Sequence, residues 1–136
     1  MQFYLAPLRG YTDLIYRNIY FKHFPYFSKA FAPFIRTTEG FKLNKKIFKD
    51  VNPKTNNIKL VPQLLSNRGF LFVEYSKFLA DWGYTEINWN LGCPAPQVTS
   101  RKRGSGFLPH LSEIRQFLEQ VFAKIEIEIS IKLRLG

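Results

Sequence analysis

Residues 84–94 read YTEINWNLGCP. The amides Asn88 and Asn90 stand two apart, and Ile87, Trp89 and Leu91 fill the alternate positions. A two-residue period puts the amides on one face of a β-strand and the apolar side chains on the other. Parallel strands are covered on both faces, so polar groups on such a strand need partners or a site to serve. The strand then runs into Gly92-Cys93-Pro94, which holds the chain's single cysteine. A glycine there lets the backbone turn sharply, and a proline after the cysteine biases it to an extended conformation, projecting the thiol above the strand end.

Working outward, Leu71, Tyr75, Phe78, Leu79 and Trp82 recur on one face of a helix predicted over 68–82, and Gly83 is placed to terminate it. Downstream, a glycine-rich loop leads to Ile114, Phe117, Leu118, Val121 and Phe122, the clearest amphipathic pattern in the chain. IEISIKLRL (127–135) is a further strand. Toward the N-terminus the pattern repeats: a strand over 3–8, a helix over 12–23 with Thr12 and Asp13 as caps, and a strand over 27–34 weakened by Pro33. Residues 35–57 are basic and ambiguous, with a short helix expected over 42–49 and a loop closed by NPKTNN, before a strand over 58–65.

Five strands alternating with helices describe either an open doubly wound sheet or part of a closed (β/α)₈ barrel, and composition does not separate them. In both, chemistry sits at the C-terminal strand ends. The residues there are Pro7 and Leu8, Gln63, Asn88 and Asn90 with Cys93, and Lys132 with Arg134. Gln63, Asn90 and Lys132, from three different strand ends, outline a pocket for a flat polar heterocycle.

The chain has 136 residues, 46% hydrophobic and 22% charged, the balance of one globular domain. No apolar run approaches the roughly 20 residues of a membrane span. A lone cysteine cannot form an internal disulfide, which suits a reducing compartment, and a soluble cytoplasmic protein is expected. Twenty Lys+Arg against ten Asp+Glu give a net charge of +10, so nucleic acid is the first partner to consider. The densest clusters are Lys42, Lys45, Lys46 and Lys49, and Arg101, Lys102 and Arg103.

A lone cysteine is by default a small buried hydrophobe. Its setting here favours chemistry, but His23 and His110 offer neither metal-ligand spacing nor an obvious base for a nucleophile. A proton donor remains, since a thiol with an ordinary pKa of about 8.5 is mostly protonated at neutral pH. RKRGSGFL (101–108) is basic and glycine-rich but matches neither the P-loop nor the dinucleotide fingerprint.

APLRGYTD (6–13), PQL (62–64), INWNLGCP (87–94), RGSGFL (103–108) and IKLRLG (131–136), in this order and spacing, resemble the N-terminal half of the bacterial tRNA-dihydrouridine synthases. The resemblance covers essentially the whole chain and is most specific over 83–106. It implies the first five strands of a TIM (β/α)₈ barrel in an FMN-dependent enzyme that reduces a uridine of tRNA to 5,6-dihydrouridine, with NADPH recharging the flavin. Cys93 would protonate C5 of the uracil while hydride passes from flavin to C6. Asn90 would hold the uracil edge, with Arg134 also on the substrate side. Pro7, Leu8, Gln63 and Lys132 would contact the isoalloxazine, where the Lys132 cation stabilises negative charge on reduced flavin. The target base must leave its stack, which agrees with a basic surface gripping RNA.

Two departures stand out. Many relatives end the second strand in a Thr-Glu pair, whereas this chain has Ala32-Pro33-Phe34. A complete barrel takes about 250 residues and often binds phosphate after strands seven and eight. Residues 1–136 are therefore expected to be a partial catalytic barrel, without the second half-barrel and the helical tRNA-binding domain, that binds FMN weakly and lacks efficient catalysis alone. The alternatives are another FMN barrel acting on a free pyrimidine, and a non-catalytic RNA-binding or assembly fragment.

Overall fold

The computed structural model describes residues 1–41 and 44–135. Seven parallel strand segments are present: β1 (Phe3–Leu5), β2 (Phe27–Phe31), β3 (Ile35–Arg36), β4 (Leu60–Val61), β5 (Gln63–Leu65), β6 (Glu86–Asn90) and β7 (Glu128–Lys132). Between them lie α1 (Leu14–His23), α2 (Lys45–Asp50), α3 (Gly69–Asp81), α4 (Pro96–Thr99), a 3₁₀ turn (Gly104–Phe107) and α5 (Leu111–Phe122).

The segments pair as β1-β2-β4 and β3-β5-β6-β7. Two prolines explain the division. The expected strand over 27–34 stops at Phe31 and resumes at Ile35, and the strand over 58–65 is interrupted at Pro62. Neither Pro33 nor Pro62 has an N–H for the ladder. The breaks face each other: Phe31 pairs Val61 before them and Ile35 pairs Leu64 after them, which leaves one extra residue on the β2–β3 side. Pro62 still accepts from the Asn88 N–H at 2.8 Å, so the sheet continues across the gap.

Counted as five interrupted strands, neighbours follow sequence order without reversal. A doubly wound sheet reverses its order at a switch point, and a (β/α)₈ barrel does not. The architecture is the front of a barrel. Its first strand is shorter than the expected 3–8, because the chain leaves the sheet after Leu5.

The helices follow their predicted faces with some corrections. α1 begins at Leu14 rather than Thr12: Asp13 is the cap, its carboxylate accepting from the Tyr16 N–H at 3.0 Å. Thr12 instead binds the strand-one loop, its Oγ1 accepting from the Leu8 N–H at 2.8 Å and donating to the Leu8 carbonyl at 3.3 Å. α2 is capped by Asn44 and starts at Lys45; the expected helix start at Lys42, and that lysine's share of the basic cluster, lie outside the described residues. α3 ends as expected, with Gly83 at φ +95°. On α5, Phe117 and Val121 are buried, but Phe122 is 62% exposed and so lies off the buried stripe. The loop expected between Cys93 and α5 contains α4, started by Pro96 at its first turn, and the 3₁₀ turn.

The core lies between sheet and helices. Trp89, fully buried, stacks on Phe117 at 4.1 Å between centroids and meets Phe72 and Phe107 edge-on. Its indole N–H donates to the Ser66 carbonyl at 3.0 Å. The apolar face of residues 84–94 thus packs outward, and the amide face points into the barrel.

Arg17 is wholly buried and ties α1 to the α2 loop. It donates to the carbonyls of Thr12 and Asp50, to the Asp50 carboxylate and to the Asn56 side-chain oxygen. A guanidinium survives burial there because its donors are shared among these acceptors.

Candidate active site at the strand ends

Inside the barrel the polar side chains bond one another. Asn88 Nδ2 donates to Ser130 Oγ at 3.0 Å, Gln63 Nε2 to Asn88 Oδ1 at 2.6 Å, and Asn90 Nδ2 to Gln63 Oε1 at 2.7 Å. The amides expected to need partners therefore find them across three adjacent strands. Deeper, the Lys29 ammonium bonds both oxygens of the nearly buried Glu86, at 2.9 and 2.6 Å, and lies 4.8 Å from the Tyr4 ring centroid. Glu86 shares the strand face of Asn88 and Asn90, so parity alone pointed it inward; sequence reasoning passed over it.

The chain of amides ends at the cysteine turn. Asn90 Oδ1 accepts from the N–H groups of Gly92 at 3.1 Å and Cys93 at 3.0 Å, so one side chain clamps the turn that carries the thiol. Gly92 does not take the left-handed conformation a sharp glycine turn would use. A Cβ there would lie 3.1 Å from the Leu133 backbone carbon and 3.2 Å from Lys132 Nζ, so these neighbours would have to give by a few tenths of an ångström.

From the other side the 3₁₀ turn folds back. The Ser105 N–H and hydroxyl both donate to the Cys93 carbonyl, at 3.0 and 3.1 Å. Gly104, at φ +56°, makes this possible, since a Cβ would come within 2.5 Å of that carbonyl. The glycines of RKRGSGFL thus serve the cysteine turn. Their spacing around Ser105 was visible in the sequence, but the contact joins residues on opposite sides of α4.

Pro7, Leu8, Gln63, Asn90, Cys93, Lys132 and Arg134 all line one open cleft of about 550 Å³, together with Pro33 and Phe34. Of the strand-end residues singled out in the sequence, Asn88 alone does not line this mouth. Cys93 is partly exposed, while Gln63 and Asn90 are 1% and 2% exposed and form its floor. Lys132 Nζ has no carboxylate or hydrogen-bond partner among the described residues. The departure expected at Ala32-Pro33-Phe34 is corrected by the fold: the second strand resumes over Ile35–Arg36 and runs into Thr37, Thr38 and Glu39, so a Thr-Glu pair does follow its end, while Pro33 and Phe34 line the cleft wall.

An ammonium without a partner among the described residues, an amide floor, an apolar wall from Pro7 and Leu8, and a volume within the roughly 300–1,000 Å³ of ligand clefts fit a planar polar heterocycle such as a flavin ring. Among the described residues there is no group of three or more His, Cys, Asp or Glu side chains able to hold a metal, and no helix long and apolar enough to cross a membrane.

A sequentially wound parallel β/α barrel front, with its polar cleft at the C-terminal strand ends, places the chain among the TIM-barrel enzyme folds. The family described as "Dihydrouridine synthase (Dus)" matches residues 4–136, and the chain belongs to it. It is similar to the "Probable tRNA-dihydrouridine synthase 1" of Synechocystis sp., 25% identical over 96% of this chain and 36% of the relative. It is also similar to the probable tRNA-dihydrouridine synthase of Helicobacter pylori, at 28% over 98% and 40%, and to tRNA-dihydrouridine synthase B of Shewanella oneidensis, at 24% over 99% and 41%. The chain spans about two fifths of the length of these curated relatives.

Proposed function

We propose that this chain is the N-terminal part of the catalytic barrel of an enzyme that reduces uridine in tRNA to 5,6-dihydrouridine, with FMN as cofactor and NADPH as reductant. The observation that carries the reading is the convergence of Cys93, Gln63, Asn90 and Lys132, which has no partner among the described residues, on one cleft, in a chain whose family is named for this product.

A bound flavin would supply two electrons and one hydrogen to C6 of the uracil. The protein's part is to hold the reactants and move one proton. Pro7 and Leu8 offer an apolar surface to a ring face, and Gln63 and Lys132 meet its polar edge. The Lys132 cation favours whichever state of that ring carries negative charge. Cys93 delivers a proton from Sγ to C5, completing the addition of two hydrogens across the C5–C6 double bond. Asn90 holds the backbone of Cys93 through Oδ1. Its second Nδ2 hydrogen has no partner among the described residues and is available to a uracil oxygen. Arg134, exposed at the rim, meets the nucleotide outside the ring.

The test is to incubate the full-length protein in which this proposal places the chain with unmodified tRNA, and separately with free uridine. A gain of about two daltons in the tRNA is expected. A gain on free uridine alone would reject the reading in favour of a free-pyrimidine enzyme. Cys93→Ala should lower the rate by about 10²–10⁴ with flavin titration unchanged. An unaltered rate would reduce the cysteine to packing.

A further inference from the structure

A second cleft opens beside the first. It encloses about 810 Å³, and Arg9, Arg36 and Arg103 stand on its walls. The two clefts share Arg9 and Phe34, with the Arg9 guanidinium 5.2 Å from the Phe34 ring centroid. Arg9 comes from the loop after β1, Arg36 from the end of β3, and Arg103 from the loop before the 3₁₀ turn. Three segments distant in sequence thus bring guanidinium groups to one place.

No carboxylate lines this cleft among the described residues. Arg9 and Arg36 have no ion-pair partner there, and Arg103 donates only to the Asn67 side-chain oxygen, at 3.3 Å. Arg68, whose charge also reaches Arg103, is paired with Glu39. Burial, then the charges of Arg36, Arg101 and Arg68, hold Arg103 below the usual guanidinium range. Like charges gathered without counter-ions are unfavourable until an anion enters. Planar guanidinium forks match phosphate oxygens better than they match a point charge.

We infer that the Arg9–Arg36–Arg103 cleft holds backbone phosphates of the RNA strand on either side of the nucleotide whose base occupies the Cys93 cleft. This rests on the uridine-in-tRNA reading and extends it, for the shared wall joins the two clefts without a gap. Withdrawing one nucleotide from its stack leaves its flanking phosphates close to the entry point, where the three arginines stand.

The experiment measures binding of unmodified tRNA to the full-length protein by fluorescence anisotropy between about 50 and 200 mM salt, a range in which phosphate binding is weakened strongly. Removing one phosphate-binding cation should flatten the plot of log affinity against log salt by about 0.7–0.9. Arg36→Gln, an exposed position whose change leaves packing intact, should remove about one such unit. Arg36→Gln with Arg103→Gln should remove about two, and Lys54→Gln, on the opposite end of the barrel, none. Wild-type slopes in both arginine variants would overturn the inference. FMN and riboflavin titrations form the second arm: variants that weaken FMN but not riboflavin would assign the cleft to the cofactor's own phosphate and also overturn it. Failure of uridine reduction in wild-type protein would remove the parent reading, yet leave the salt slopes to report on phosphate binding independently.

Discussion

Cys93 is held from two directions, by the Asn90 side chain at its N–H and by Ser105 at its carbonyl. A thiol whose backbone is fixed on both sides keeps its direction relative to the barrel mouth, as the proposed delivery of a proton to one carbon of a ring requires. Gly104 is the position where this clamp is most easily broken. Alanine there meets a left-handed backbone and an approach of 2.5 Å to the Cys93 carbonyl. Gly104→Ala should destabilise the chain by about 2–3 kcal/mol, strain and overpacking together, read as a lowered urea midpoint. A midpoint within error of wild type would show that the turn yields without cost.

At the scale of elements, α3 and α5 pack on the apolar face of β6, while the base of the barrel is held by polar groups. There Tyr84, just before β6, donates to the Val51 carbonyl at 2.5 Å and so links the sheet to the end of α2. Burial keeps its hydroxyl well above the usual tyrosine range, with Arg17 opposing and Asp50 adding to the effect. In the unfolded chain the phenol ionises near pH 10, whereas the folded chain retains the proton. Above that pH the unfolded state binds fewer protons, so stability is full below about pH 10 and falls as pH rises. Tyr84→Phe should cost about 1–2 kcal/mol at pH 8 by leaving a buried carbonyl unpaired. It should also remove part of the alkaline decline, up to about 1.4 kcal/mol per pH unit. Urea midpoints at pH 8 and pH 10.5 measure both, and parallel declines in mutant and wild type would exclude Tyr84 as their source.

At the scale of the whole molecule, β1 pairs only with β2 and β7 only with β6 among the described residues. Phe3, Tyr4 and Ile131 are exposed on these outer strands, as are Leu133 just after β7, Ile15 and Ile19 on α1, and Phe24 at the end of α1. Open edges beside apolar surface favour pairing with another chain. Residues 1–136 alone should therefore self-associate at micromolar concentrations and bind FMN more weakly than the full-length protein. Sedimentation velocity across a dilution series and a flavin titration test this; a monomer throughout, with full-strength flavin binding, would contradict it.

Much of this was legible along the chain. Amide and apolar positions in residues 84–94, the stripe on α3 and the glycine after it are local patterns, set by strand and helix periods that depend on no distant residue. The family motifs likewise contained most of the residues that line the Cys93 cleft, but not Pro33 and Phe34. The breaks at Pro33 and Pro62 were only half legible, since each proline is visible but their facing register is not. The periodic pattern did not decide the barrel, which was legible only through the family motifs, whereas tertiary structure alone decided that Asn90 turns its oxygen to the cysteine backbone and that Arg9, Arg36 and Arg103 share one cleft. These are meetings between segments tens of residues apart, and a periodic pattern tells which way a side chain faces but not which neighbour it will find there.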